Sequence, residues 1–487
     1  MNTTVYKKLS LFLTLLTLVV WAQPALATGL RISDVRFEPA RLSPGASPSV
    51  EFTVGWQNAW RNAKNHDAAW IFIKVQVRGS ARWRHALLSP SPGIERISGS
   101  DGSAGPDFVV PEGRVGFFAQ PGGEYRGDLE WRLRVALDPR VLERIRPGAE
   151  LEAAVFGLEM VYIPSGPFYL GDPDPESLEY AAFFRSKTKG EPDGPFPVSS
   201  EEPIQVGPQA GRLYYQSHFN PQYEGDRAGP IPQAFPKGYR AFYIMKYEIT
   251  QGQYAAFLNN LPDDATYFRA GFAGRYYYDL RGSIQMQKGR YLAVHPARPH
   301  NFVSWDDGCA FTDWAGLRPM TELEFTKAAR GPGLPRFHEF PWGTSSKENL
   351  KRIVALNDDL VRDGPAKESR LREESRDVLG ASYYWVLDLA GSLWERVVTA
   401  GHPVGRAYRG THGDGRLTGY GFATNQDWPR GDDNPGGYGY RGGGYYQHGR
   451  PEGVFNPHSP IAYRRFGAWG GGPRYLAYGF RCVRTAP

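Results

Sequence analysis

The sequence predicts an α+β protein: a β-sandwich at the N-terminus, then a larger domain of short helices and little regular structure. Three observations predict it. The segment from Thr28 to Val155 alternates apolar and polar residues at period two. Three later segments carry helix-start signals. The 487 residues include 58 glycines and 40 prolines, which favours turns over long helices.

In the first segment, Val50, Phe52, Val54 and Trp56 form one alternating run. Ile71, Ile73, Val75 and Val77 form a second. Leu129, Trp131, Leu133, Val135 and Leu137 form a third, with Glu130, Arg132 and Arg134 between them. Period two places one set on a buried face and the other in water. Pro- and Gly-rich turns such as Ser89–Gly105 separate the runs. Short strands with turns between them predict an immunoglobulin-like sandwich in architecture. The Cys…Trp…Cys pattern of true immunoglobulin domains is absent.

The character changes after Val155. Residues 172–240 are rich in Pro, Gly and charge and read as long loops. Thr250 with Gln253, Ser304 with Asp307, and Thr321 with Glu324 each pair a capping hydroxyl with a side chain three residues on. Apolar residues follow each pair, and Gly316 and Gly331 stop the second and third helices. From Arg409 to His448 glycine and tyrosine dominate, which reads as irregular, tightly turned structure. The resulting division is 1–27, 28–155 and 156–487.

Residues 1–27 read as a cleavable secretory signal. Lys7 and Lys8 are followed by the apolar run Leu9–Ala22 and the small residues of Ala25-Leu26-Ala27. The run is short against the about 20 apolar residues that span a bilayer. Cleavage near Ala27 predicts a secreted or periplasmic chain without a transmembrane segment. Loss of Lys7 and Lys8 lowers the formal charge from +6 to +4. The charges are interspersed, so no nucleic-acid footprint is expected. Cys309 and Cys482 are the only cysteines. In an oxidising compartment they most simply form one disulfide, and they are too few for a thiolate zinc site.

A set of blocks then carries a family resemblance. They are Met160–Phe168, Phe242–Thr250, Val303–Asp307, Trp314–Phe325, Ala328–Gly331, Phe340–Gly343, Asp388–Glu395, Arg441–Gly443 and Gly479–Cys482. In this order they resemble the formylglycine-generating enzyme (sulfatase-modifying factor) domain, from about Gly157 to Pro487. The resemblance implies a variant of the C-type lectin fold. It also implies a calcium ion held by the side chains of Asp388 and Glu395 and the carbonyls of Gly391 and Leu393. Calcium takes several hard oxygens of this mixed kind. The alternative for the same residues is a pair of loop carboxylates bonded to backbone amides. A second family calcium site involves Asn357.

The family's copper ion is held by two thiolates shortly before the last block. The corresponding stretch here, Ile461–Trp469, contains no cysteine. Soft thiolates suit copper(I), so copper oxidase chemistry has no visible apparatus. By resemblance Cys482 is a structural cysteine whose usual partner matches Thr312, and Cys309 lies one helical turn earlier. A Cys309–Cys482 bridge is the preferred reading; two buried thiols or a displaced metal site are the others. A non-haem iron site from His412, Asp414 and His448 is conceivable, but scattered loop histidines explain them better, so iron is not expected. Loop aromatics, Tyr408, Trp428, Tyr445 and Tyr446 among them, are candidates for binding a peptide, protein or glycan.

Two functions follow. One is a calcium-stabilised binding or assembly module without copper-dependent cysteine oxidation. The other is a periplasmic oxidoreductase of the same superfamily using a different metal or residue set.

Overall fold

The computed structural model describes residues 29–487 except 41–46, 81, 91–92, 101–104, 144, 273, 275, 351–371, 432–435, 445, 448–449 and 452–458. Residues 1–28, which include the expected secretory signal, and Asn357, Tyr445 and His448 therefore lie outside the described residues, as does the side chain of Tyr446.

Nine strands build the first third: β1 Leu30–Glu38, β2 Ser49–Arg61, β3 Asp67–Val77, β4 Arg84–Ala86, β5 Ile94–Ser100, β6 Pro106–Val109, β7 Phe117–Pro121, β8 Tyr125–Ala136 and β9 Leu151–Ile163. Strands β1-β2-β8-β5 form one sheet. Its inner residues Val50, Phe52, Val54, Leu129, Trp131, Leu133 and Val135 share a core with Ile71, Ile73 and Val75 of β3. Outside, Arg132 and Arg134 pair with Glu51 in water. The alternation read from the sequence is what separates these two faces.

The second sheet crosses the whole chain. Its order is Arg318–Pro319, Cys482–Thr485, Phe242–Met245, β9, β3, β7, β6, with β4 beside β3. β9 is antiparallel to β3 from Val161 opposite Asp67 to Leu151 opposite Val77. The end of β9 also pairs with Phe242–Met245. The boundary drawn at 155/156 thus falls inside a strand that serves both halves. Both faces of this sheet are covered. Ala68, Trp70 and Phe72 point away from the small sheet and join Phe156, Phe311 and Trp314 in a second core.

The three expected helices are present at Gln251–Leu258, Trp305–Trp314 and Glu322–Arg330. Each begins with both hydrogen bonds of its capping box. Gly331, with φ +82, ends the third in a backbone region that costs glycine little. The Trp305–Trp314 helix lies against the large sheet. Trp70 Nε1 donates to the Ala315 carbonyl at 2.8 Å, and Lys74 Nζ to the Trp314 carbonyl at 2.7 Å. Close packing continues at Gly308, where a Cβ would come within 2.0 Å of the Phe480 ring.

Strand outweighs helix, and the stretch after β9 is held by short pairings such as Phe168–Leu170 with Phe196–Val198. Trp70 joins the strands of the first third to a helix of the later domain while fully buried. Trp70→Ala should therefore cost about 3–5 kcal/mol, read as a lower urea midpoint.

Candidate functional site

The site starts from Glu322, the first residue of its helix. Glu322 is buried, yet it finds five donors. Arg464 Nε and Nη2 reach it at 2.6 and 3.1 Å and Arg441 Nη1 at 3.3 Å. Thr399 Oγ1 and the Ala400 amide reach it at 2.9 Å each. Burial pushes the carboxyl upward, but Arg464 and Arg441 outweigh that and hold it below its usual range. Burial also lowers Arg441 to about 9, against the pull of Glu322.

Arg464 is thereby turned inward. Its Nη1 donates to the Ala181 carbonyl at 2.9 Å. Its guanidinium lies 3.7 Å from the Phe183 ring centroid and 4.5 Å from that of Tyr215. Backbone bonds fasten the surrounding segment: Ile461 to Glu339, Arg464 to Tyr180, Ala468 to Tyr223 and Tyr440 to Phe466. With Arg464 inside, Tyr463, Arg465, Phe466 and Trp469 are left half-buried at the surface.

These side chains join rings from elsewhere into one aromatic face. Tyr463 meets Tyr180 at 4.9 Å between centroids. Tyr223 meets Trp469 at 5.3 Å and Phe466 at 6.0 Å. Phe219, 51% exposed, stands 6.3 Å from Phe466. Trp394 backs the group from beneath, 5.6 Å from Phe466. The face thus combines the stretch that lacks thiols with residues of the 172–240 loops. Sequence reading missed Tyr180, Phe219, Tyr223 and the Arg464/Arg465 pair. The only signal was the run of aromatics around two arginines in Tyr463–Trp469; nothing local tied it to the earlier loops.

The aromatics singled out from sequence fare differently. Tyr408 is fully buried and donates to the Pro319 carbonyl at 2.8 Å, so it is core and not a ligand contact. Trp428 is nearly buried, with Nε1 on the Thr411 carbonyl at 2.9 Å. It does line a cavity of about 240 Å³ with Asp306, Cys309 and Asn425.

Around Asp388–Glu395 the backbone winds through φ values of +61 at Asp388, +89 at Gly391 and +60 at Ser392. Glu395 receives Arg481 Nε at 3.0 Å on both oxygens, and Nη2 at 2.7 Å. A third carboxylate, Glu248, was not foreseen; it accepts the Ser392 hydroxyl and the Leu393 amide. Burial raises the pKa of Glu248 and of Glu395. Asp388 adds to the negative field on both. Both Glu395 oxygens are thus committed to Arg481, and Glu248 to Ser392 and the Leu393 amide. Among the described residues, no three acidic, histidine or cysteine side chains form a metal-binding group. His412 accepts the Thr485 amide at 3.1 Å through Nε2.

The expected Cys309–Cys482 bridge is corrected: both are free, buried thiols. Cys482 faces Thr312, whose Oγ1 lies 3.0 Å from its Sγ. Cys309, one turn earlier, lines the Trp428 cavity instead. Burial pushes Cys482 up to about 12 and Cys309 well above its usual value, so both hold their protons at neutral pH.

This α+β architecture, with its three capped helices and the Gly479-Phe480-Arg481 segment leading into the Cys482–Thr485 strand, defines a known class of domain. Residues 152–486 match the sulfatase-modifying factor enzyme 1-like domain, and the chain belongs to that family. It is 24% identical over 226 residues to the formylglycine-generating enzyme of Bos taurus, covering 41% of this chain and 58% of the relative. It is 29% identical over 113 residues to the formylglycine-generating enzyme of Thermomonospora curvata, covering 22% of this chain and 35% of the relative. The hercynine oxygenase of Mycobacterium tuberculosis is 25% identical over 170 residues, covering 32% of this chain and 37% of the relative. The chain thus spans less than two thirds of the length of these relatives.

Two outcomes follow. Glu322→Gln should cost about 3–5 kcal/mol at neutral pH, because it leaves Arg464 and Arg441 buried without their anion. The carboxyl's folded pKa is depressed, so its contribution is complete above the unfolded value and fades as pH falls through the folded one. Urea titrations should therefore show the gap between the two proteins narrowing below about pH 4. Thr312→Cys should form a disulfide with Cys482, seen as a loss of two mass units and of alkylation at Cys482. Wild-type protein should alkylate at both cysteines once unfolded without reductant.

Proposed function

We propose that the chain is an exported binding or assembly module whose ligand surface is the aromatic face around residues 461–469. One observation carries this reading. The stretch where the family resemblance puts copper thiolates is occupied by Arg464, locked onto Glu322, and by the half-buried rings of Tyr463, Phe466 and Trp469. Guanidinium and aromatic groups offer no soft ligand to copper, whereas clustered rings on a rigid scaffold suit apolar contacts.

Calcium belongs to this proposal. The Asp388 and Glu395 carboxylates and the Gly391 and Leu393 carbonyls would hold it, and its charge would steady the wound loop behind Trp394. Export is proposed from the N-terminal leader. The immunoglobulin-like and C-type-lectin-like descriptions of the two parts are proposed with it. Among the described residues no helix is long and apolar enough to cross a membrane.

Metal analysis of the purified protein tests the reading. Calcium is expected at one ion per chain, with copper and iron only in traces. Chelation should lower Tm by several degrees, since an ion bound at a hundred times its Kd adds about 2.7 kcal/mol. Asp388→Asn should remove that shift. A sulfatase peptide carrying the target cysteine should stay unoxidised under copper and oxygen. Stoichiometric copper or iron, or oxidation of the peptide, would instead favour the oxidoreductase.

A further inference from the structure

Arg464 and Arg465 are neighbours with opposite fates. Arg464 spends its donors on Glu322 and Ala181. Arg465 has no hydrogen-bond or ion-pair partner among the described residues, and its Nε is buried and unsatisfied. What holds Arg465 is aromatic: its guanidinium lies 5.2 Å from the Tyr180 ring centroid and 4.9 Å from that of Phe219. Ring contacts of this kind attract a guanidinium through the negative face of the ring. They fix the planar group but leave its N–H edges without acceptors.

We infer that Arg465 is the anion-reading residue of the aromatic face, and that the face takes an acidic polypeptide segment with an apolar side chain beside its carboxylate. The inference rests on the proposal that this face binds a ligand. The rigid guanidinium fork matches a carboxylate bidentately. The shape of the wall selects a polypeptide over an acidic glycan. Sugars stack on flat ring faces, but here neighbouring rings are tilted: Phe219 to Phe466 by 81°, Tyr223 to Trp469 by 44° and Phe466 to Trp469 by 50°. A corrugated apolar wall receives branched and aromatic side chains. The formal charge of +4 that remains after the proposed loss of Lys7 and Lys8 has the sign that attracts such a partner.

The test is panning of random dodecapeptides displayed on phage against the purified full chain and two variants, Arg465→Gln and Phe219→Ala. Thermal melts confirm that both variants are folded. Peptides recovered on the wild type should be enriched at least threefold in aspartate and glutamate next to large apolar residues. On Arg465→Gln the acidic enrichment should vanish and the apolar enrichment persist. A selected peptide, made synthetically, should bind Arg465→Gln at least tenfold more weakly, and Arg465→Lys should recover only part of the loss. Phe219→Ala should weaken peptides of both kinds. Apolar peptides without acidic enrichment would overturn the role of Arg465 and leave the binding face standing. Recovery of no peptide would overturn both. Saturable binding of oligogalacturonate in place of peptides would overturn the choice of polypeptide.

Discussion

The buried carboxylate of Glu322 is the point on which the later domain is organised. It sits at the start of one helix, and its donors come from the segment after Val398, from the Tyr438–Arg441 strand and from the loop bearing Arg464. An isolated buried charge is prohibitively expensive, so the carboxylate forces these segments to converge. A helix N-terminus is also where a carboxylate is best placed, because backbone N–H groups and the helix dipole favour negative charge there. The position of the aromatic face follows. Once Arg464 is drawn inward, the side chains on either side of it are turned toward solvent.

A second constraint is the sheet shared by both halves. β9 pairs with β3 along its length and with Phe242–Met245 at its end. Its buried polar residues make the same connection: Lys246 lies 3.2 Å from Glu159 and 3.7 Å from Asp67. Arg481, immediately before the Cys482–Thr485 strand that pairs with Phe242–Met245, donates to the Met245 and Leu387 carbonyls. The first third is thus continuous with the domain that carries the site, and strain or loss in β3 would be felt at the helix Trp70 touches.

Much of this was legible in the sequence where the deciding interactions are local. The capping boxes at Thr250, Ser304 and Thr321 lie within four residues, so the pattern alone located three helices. The alternation in β2, β3 and β8 is equally local. Long-range pairing was not legible. Nothing near Val155 says that β9 is paired on both sides. Nothing near Tyr408 says that its ring is core while that of Tyr463 is half-buried. The two cysteines illustrate the same limit. Helical periodicity puts Cys309 and Thr312 on nearly one face, and only the docking of the terminal strand decides which of them meets Cys482.

Arg464 and Arg465 show why a missing motif says less than what replaces it. Absence of cysteine from Ile461–Trp469 removes the soft ligands that copper needs, but it does not say what the segment does. The two arginines are chemically identical, and 142 residues separate Arg464 from the glutamate that distinguishes it from its neighbour. That glutamate turns one guanidinium into a structural tie. The other is left clamped by Tyr180 and Phe219, with its N–H groups unclaimed among the described residues. Both arise from one packing decision. A rigid interior anchor next to a preorganised surface group lowers the conformational cost of binding. The residues that stand where the family resemblance expects thiolates are therefore those that equip this stretch for recognition in the proposed function.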